Sequence, residues 1–223
     1  MLYLYGITES PSLPQLDGLG GAPLEAIDDE GLFAVVSEHD ELPVEASEGA
    51  LWTHEEVVEV MMDDAPVLPM RFGSVVADEA VVRDTLRRRR PALEEALERV
   101  RGAVELSVRV AIARESLEEP DTDGENAPGP GTAYLVGRLK RLQRQRELAA
   151  RIHEPLTSIA RSSTSWSGAP ERPLWKAAYL VPRDQIEPFM ERVRILDDEL
   201  SEATVVCTGP WPPYSFSSGD GAP

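Results

Sequence analysis

The side chains that most often carry acid–base or metal chemistry are few in this chain and widely spaced. There are three histidines, His39, His54 and His153. A zinc hydrolase helix places a second histidine four residues after the first, and the sequence His54-Glu55-Glu56 has none at that position. We therefore expect each histidine to lie on the protein surface, and we expect no metal site.

The single cysteine, Cys207, follows Val205 and Val206 in an apolar run. A reactive thiol needs an exposed, electropositive setting, which this run does not provide. We expect Cys207 to be buried as a small hydrophobic residue. One cysteine also excludes a disulfide within the chain, which favours a reducing, cytoplasmic location.

Patterns for phosphate binding or paired-carboxylate chemistry are weak as well. Gly18-Leu19-Gly20-Gly21 is followed by Ala22-Pro23 and not by a helix or a Gly-Lys pair, so it predicts a turn. Adjacent acids such as Asp63-Asp64 are typical of solvated helix ends in an acidic chain. The sequence predicts no catalytic residue, no cofactor-binding residue and no cofactor. An enzyme with an unrecognised site is the weakest alternative.

A cluster of four arginines, Arg87–Arg90, raises the alternative of an RNA-binding protein with a ferredoxin-like lobe. No aromatic side chain is interleaved with the cluster for base stacking. The net charge of the chain is −18, and residues 1–70 hold 16 acidic residues without a lysine or arginine. We therefore expect the arginines to pair with this acidic first third, and we expect no nucleic-acid partner.

The most distinctive segment is Thr208–Phe216, which combines three prolines with three aromatic residues. The prolines fix φ and remove backbone donors, which excludes a helix interior or a central strand. The aromatic side chains therefore sit on a stiff backbone and offer a large contact area at low entropic cost. This composition indicates packing or recognition rather than catalysis. We call this segment the aromatic tail.

Hydrophobic periodicity divides the chain into short strands and four helices. Hydrophobic residues make up 42% of the chain, but no apolar run approaches the length of a membrane span, and the first residues carry no recognisable secretory signal. The predicted strands are Leu2–Thr8, Leu24–Ile27, Leu32–Ser37, Val104–Ala113, Ser162–Ser167, Leu174–Val181 and Ala203–Cys207. The predicted helices are Leu51–Met62, Asp78–Arg101, a long one from about 132 to 155, and Asp184–Leu200. We expect Pro91 to kink or restart the second helix, and Pro66–Gly73 to lie extended at a sheet edge.

The order of these elements predicts an α+β fold of two lobes with mostly antiparallel sheets. From Val104 onward the order is strand, helix, strand, strand, helix, strand, which is the ferredoxin-like βαββαβ pattern. We predict an N-terminal domain at 1–115, a flexible acidic loop rich in Pro and Gly at 116–131, and a C-terminal domain with the aromatic tail at 132–223. The acidic loop either joins the two lobes or lies within one of them.

Four segments, in the same order, resemble the gas vesicle protein F/L family. They are Tyr3–Ile7, Val67–Gly73, Ala133–Arg138 and Thr208–Phe216. The second is fairly specific for the family and the fourth is highly specific. The resemblance spans nearly the whole chain and implies a fusion of two α+β lobes that serves as an accessory protein of gas vesicle formation.

The same resemblance implies a function without catalysis. Members of the family are expected to bind the small hydrophobic shell protein and to assist or join the nascent vesicle. Other gas vesicle accessory proteins are further expected partners, and the expected location is cytoplasmic and associated with the gas vesicle, without a membrane partner. No catalytic residue is implied.

Two segments that carry the resemblance supply the candidate site. We expect Arg71 and Phe72 to lie near the aromatic tail, where an arginine over an aromatic face would contribute roughly 0.5–2 kcal/mol. The site either binds a partner or seals the two lobes together, and these alternatives are open at the level of sequence. Its residues are Arg71, Phe72, Trp211, Pro212, Pro213, Tyr214 and Phe216.

Overall fold

A computed structural model describes residues 1–40, 47–112, 130–167 and 174–217 of the chain. Most of the predicted acidic loop, residues 116–129, lies outside the described residues. The chain forms two compact units, of which the first contains Met1–Glu105 and Trp211–Pro223, and the second contains Leu106–Pro210. The aromatic tail from Trp211 onward is thus grouped with the first unit. The division into domains 1–115 and 132–223 stays a prediction.

A five-stranded antiparallel sheet forms the centre of the first unit. Its strands are β1 (Leu2–Thr8), β2 (Leu24–Asp29), β3 (Leu32–Glu38), β4 (Val67–Pro69) and β5 (Val75–Val76). They are ordered β2-β3-β1-β4, and β5 also pairs with β1. Because β4 lies at the edge, the ladder tolerates its proline, as the sequence predicted.

The β2–β3 hairpin turns where the sequence placed it. Glu30 and Gly31 have φ angles of 49° and 90°. This left-handed backbone conformation favours glycine and suits a tight hairpin turn. Asp28 Oδ1 accepts a hydrogen bond of 3.0 Å from the Gly31 N–H, which fixes the turn further.

Two helices complete the first unit, α1 (Glu48–Asp64) and α2 (Glu79–Val100). Ser47 caps α1 and Asp78 caps α2, each accepting a hydrogen bond from a first-turn N–H. The helix α2 continues through the exposed Pro91, so of the two predicted outcomes, a kink or a restart, the restart does not occur. A solvent-facing proline removes one helical hydrogen bond, and five buried residues between Val82 and Leu97 together with Val100 keep the helix on the core.

The second unit has the predicted element order. It contains β6 (Ala103–Ile112, which begins in the first unit), α3 (Pro130–Thr157), β7 (Ser162–Ser167), β8 (Leu174–Pro182), α4 (Ile186–Glu199) and β9 (Ala203–Trp211). The sheet order is β7-β8-β6-β9. This arrangement is consistent with a ferredoxin-like lobe. The edge strand β9 runs four residues beyond its predicted end at Cys207, up to Trp211.

Among the described side chains of α3, those that contribute to the core of the second unit lie in its C-terminal half. Leu148, Ile152 and Leu156 are buried there. Leu135 and Leu139, which the sequence placed on the same apolar face, are exposed. The periodicity is helical throughout, but the core cluster takes its α3 residues from Leu148 onward. No helix among the described residues has the length and apolar character that crossing a bilayer requires.

Candidate binding site

Helix α1 brings the two predicted binding segments onto one support. Two consecutive residues of this helix hold them: the His54 ring bonds the backbone of Met70, and the Glu55 carboxylate bonds the side chain of Tyr214. Consecutive helix residues point about 100° apart, so the two side chains reach in different directions from the same turn. The first unit therefore positions the Arg71–Phe72 segment and the aromatic tail from a single helix.

His54 is fully buried, so the predicted surface position is wrong. Its Nε2 lies 3.0 Å from the Met70 carbonyl oxygen, which can only accept a hydrogen bond. Nε2 therefore carries the proton, and Nδ1 accepts from the Tyr3 hydroxyl at 2.9 Å. Burial lowers the pKa of His54, while the Met70 hydrogen bond opposes this shift. The ring is held neutral and in one tautomer.

An aromatic cluster surrounds this histidine. The His54 ring stacks on Tyr5 with centroids 5.6 Å apart, and it meets Phe72 edge-on at 5.8 Å. Tyr3 also meets Phe72 edge-on, at 6.1 Å. Burial raises the pKa of Tyr3 to about 12, so its hydroxyl stays protonated and keeps donating to His54. These contacts give Phe72 a packing role within the first unit.

The backbone turns directly after Phe72, and the turn leaves Arg71 exposed. The Tyr3 hydroxyl accepts a hydrogen bond of 3.1 Å from the Gly73 N–H, and Gly73 has a φ of 84°. A side chain at this position would be strained, because that region of φ favours glycine. Arg71 itself is exposed, and its carbonyl accepts from the N–H and the hydroxyl of Ser74.

The aromatic tail is fastened to the first unit by two carboxylates. The Tyr214 hydroxyl donates to Glu55 Oε1 at 2.9 Å. Ser215 donates twice to Glu105, from its N–H at 2.8 Å and from its hydroxyl at 2.9 Å. Such charge-assisted bonds are stronger than neutral ones. The tail is therefore bonded at two successive residues.

Both carboxylates are costly to ionise where they lie. Burial raises the pKa of Glu105, and its two bonds from Ser215 only partly oppose the shift. Burial also raises the pKa of Glu55, against the Tyr214 hydrogen bond and together with the charge of Glu59. Burial and the nearby Glu55 charge raise the pKa of Tyr214, so this hydroxyl remains a donor.

Burial divides the aromatic tail into an anchored part and a partly open part. Pro212, Pro213 and Phe216 are buried, and Tyr214 is half-buried. The backbone folds back on itself through hydrogen bonds from the Tyr214 N–H to the Pro212 carbonyl and from the Phe216 N–H to the Pro213 carbonyl. Trp211 retains 38% of its surface in solvent. The tail is a fixed structure that presents one large aromatic side chain.

Asp29, with its arginine partners, and Cys207 make structural contacts. Asp29 is buried and binds Arg87 at 3.1 Å and Arg90 at 2.9 Å, so the predicted pairing with the acidic first third is confirmed for these two arginines of the cluster. Cys207 is half-buried, packs against the second core, and has a pKa that burial raises to about 11. Within the described ranges, no group of three or more His, Cys, Asp or Glu side chains is placed to hold a metal ion.

Three residues position the site in a way that the sequence did not predict: His54, Glu55 and Glu105. A signal existed for His54, because it precedes the apolar Val57 and Val58 by three and four residues and so shares their helix face. Glu105 stands on the polar side of an alternating strand, where a solvated carboxylate is the usual outcome. Only the folded position of Ser215, 110 residues later, explains its burial.

Comparison with known proteins agrees with the sequence resemblance. Residues 1–218 match the family described as gas vesicle synthesis protein GvpL/GvpF. Gas vesicle protein L of a Streptomyces species is 32% identical over 250 residues, covering 96% of this chain and 92% of the relative. Gas vesicle protein F1 of Halobacterium salinarum is 26% identical over 220 residues, with the same coverage of both chains.

A solved structure shows the same fold. The crystal structure of the gas vesicle protein GvpF from Anabaena sp. PCC7120 is similar to this chain with a TM-score of 0.83 and 24% identity. The similarity covers 99% of this chain and 97% of the other. The match over residues 1–218 and the relative with 32% identity together assign the sequence. This chain belongs to the GvpL/GvpF family of gas vesicle synthesis proteins.

Proposed function

We propose that this chain is a non-enzymatic, cytoplasmic accessory protein that binds the small hydrophobic shell protein of gas vesicles. In this role it assists assembly of the shell, and it joins the vesicle as a minor component or acts beside other accessory proteins. Membership of the GvpL/GvpF family supports a role in gas vesicle synthesis. The binding of the shell protein is the further step that we propose.

One observation carries the proposal: the aromatic tail is held rigidly and still exposes Trp211. Rigid aromatic side chains bind with little loss of conformational entropy, which suits recognition of an apolar partner. The anchors are the buried Phe216 and the carboxylate bonds to Tyr214 and Ser215. We assign Trp211 and the exposed Arg71 to the partner-facing part of the site, and the other tail residues with Phe72 to its support.

The charge of the chain supports the same role. A shell protein that assembles through apolar surfaces needs a companion that keeps the complex dispersed. A net charge of −18 provides repulsion between such complexes. The chain therefore combines a small apolar contact with a surface that resists aggregation.

Trp211→Ala tests this function directly. The variant chain and the shell protein are co-expressed, and the shell protein retained on the tagged chain is measured. We expect retention to fall about tenfold or more, because a large aromatic side chain at the centre of an interface often contributes 2 kcal/mol or more. Trp166→Ala is the matched control, since Trp166 is 51% exposed on β7 and lies outside the aromatic tail.

Thermal unfolding of both variants separates binding from folding. We expect Trp211→Ala to keep most of its thermal stability, since part of the side chain already lies in solvent. If the wild type and Trp211→Ala retain equal amounts of the shell protein, Trp211 does not contribute to the binding site. If the wild-type chain retains no shell protein and gas vesicles form normally without the gene, the proposed function is wrong.

A further inference from the structure

The solvent-facing side of α1 combines exposed apolar side chains with acidic ones. Trp52 is 64% exposed, and Leu51 and Val60 are exposed on the same helix. Glu56 and Glu59 follow Trp52 by four and seven residues, so both lie on its face of the helix and both are exposed. Every charged residue of α1 is acidic. We call these five residues the acidic face.

The first half of α3 has the opposite character. Leu139 is 66% exposed, and Leu135 and Val136 are exposed in the preceding turn. Arg138 and Arg146 are exposed as well, and helical periodicity places both on the side of Leu135 and Leu139. Residues 126–146 hold five basic residues and no acidic one. We call Leu135, Val136, Arg138, Leu139 and Arg146 the basic face.

The two faces complement each other in both charge and apolar surface. Each leaves large apolar side chains in water, and removing this apolar surface from water is favourable. Pairing either face with its own copy would set like charges against each other. A contact between one acidic face and one basic face covers both apolar patches and places opposite charges next to each other. We propose that this chain associates head to tail with a second copy of itself, the acidic face of one copy binding the basic face of the next.

The residue spacing suits such a contact. Leu135 and Leu139 lie one turn apart, about 6 Å along the helix axis, which is a width that one indole ring can cover. With Trp52 over these two leucines, the arginines of the basic face lie within reach of Glu56 and Glu59. An arginine that also stacks on the indole adds a cation–π contribution. The charged rim makes the association sensitive to salt.

The symmetry of the contact has a consequence for assembly. Two different faces meet, so a pair of bound copies still has one free acidic face, on one copy, and one free basic face, on the other. Heterologous contacts of this kind build rings when the rotation closes and open chains when it does not. The association is therefore expected to continue beyond two copies. This inference concerns contacts between copies of the chain and is independent of the proposed binding of the shell protein.

Two variants that each remove one face give the test. W52S/E56R disables the acidic face, and R138E/L139S disables the basic face. Analytical ultracentrifugation at about 0.1 M and 1 M salt measures the average mass as a function of protein concentration. We expect the wild-type mass to rise with concentration at low salt and less so at high salt, and we expect each variant to stay monomeric.

A one-to-one mixture of the two variants is the decisive measurement. W52S/E56R keeps its basic face and R138E/L139S keeps its acidic face, so one intact contact can form between them. The two altered faces are again opposite in charge, but they lack Trp52 and Leu139 and so lose the apolar part of the contact. We expect complexes of two chains and no larger species. W166S is the matched control, because it removes an exposed tryptophan elsewhere, and we expect it to associate like the wild type.

Several outcomes would overturn the proposal. They are a wild-type chain that stays monomeric at every concentration, variants that assemble like the wild type, and a mixture that stays monomeric. Loss of association in W166S would also contradict it, because the contact would then not be confined to the two faces. E59R is a second variant of the acidic face, and it leaves Trp52 in place. Circular dichroism of each variant verifies that it is folded.

Discussion

The carboxylate of Glu105 accepts both hydrogen bonds of Ser215 from a buried position. In Glu105→Gln the side-chain oxygen can accept from the Ser215 N–H, and the amide can donate to the Ser215 hydroxyl. The glutamine side chain carries no charge, so the variant does not incur the cost of burying a carboxylate. We expect the free energy of unfolding at pH 7 to stay unchanged or to rise by up to about 1 kcal/mol. Urea denaturation followed by tryptophan fluorescence measures it.

Glu105→Ala is the contrasting variant. It leaves the Ser215 N–H without its partner, and we expect a loss of about 1–3 kcal/mol. The pH dependence follows from the raised pKa of Glu105. The folded state binds this proton more readily than the unfolded state, so the contribution of Glu105 to stability increases as the pH falls from the raised pKa towards 4.5. A Gln variant as unstable as the Ala variant would show that the charge itself holds the tail.

His54 is expected to act in the opposite direction with pH. Its pKa is lowered in the folded state, so the stability from its neutral form is complete above about 6.5 and is lost as the pH falls through the lowered value. Protonation would put a second donor against the Tyr3 hydroxyl, which already accepts from the Gly73 N–H. The free energy of unfolding should therefore decrease between pH 7.5 and 5.5.

His54→Phe isolates this contribution. The ring contacts with Tyr5 and Phe72 can persist, but the Met70 carbonyl and the Tyr3 hydroxyl lose their partner, at a cost of about 1–3 kcal/mol at pH 7.5. The decrease with falling pH should be smaller than in the wild type. His153→Phe is the comparison variant: the pKa of His153 is lowered as well, so this variant measures how much of the decrease the second histidine contributes. An unchanged pH profile in His54→Phe would assign the decrease to other groups.

At the level of elements, local patterns predicted what local chemistry determines. Glycine at position 31 predicted the hairpin turn, and the prolines predicted the edge position of Val67–Pro69. The hydrophobic period predicted the element order of the second unit. The site itself depends on pairs far apart in sequence. Glu55 and Tyr214 are 159 residues apart, and no local pattern in the sequence specifies such a pair.

Helix α3 shows a different limit of sequence reasoning. Its apolar period is regular along its length, and the period predicted one buried stripe. Burial depends on which residues the stripe contacts, and the described α3 residues of the second core are Leu148 and buried residues after it. Leu135 and Leu139 are the part of the stripe that remains exposed. An amphipathic helix longer than its own core is a reasonable sign of a binding surface.

At the scale of the whole molecule, the uneven charge gives salt two opposite effects: we expect added salt to stabilise the fold and to weaken the head-to-tail association. Residues 1–70 hold 16 acidic residues and no lysine or arginine, so self-repulsion weakens the fold at low ionic strength. Raising chloride salt from about 0.1 M to 1 M shortens the screening length from about 10 Å to about 3 Å. We expect the thermal unfolding midpoint to rise over this range, by a few degrees.

Neutralising part of this charge should imitate the salt. Glu25 and Glu38 are exposed on neighbouring strands of the first sheet, and E25Q/E38Q should raise the midpoint at 0.1 M salt and flatten its salt dependence. A midpoint that falls with salt would mean that ion pairs such as Arg90–Asp29 outweigh the repulsion. Because the same salt is expected to weaken head-to-tail association while it stabilises the fold, midpoint and average mass must be measured on the same samples. Opposite trends in the two quantities would separate a loss of association from a loss of folded protein.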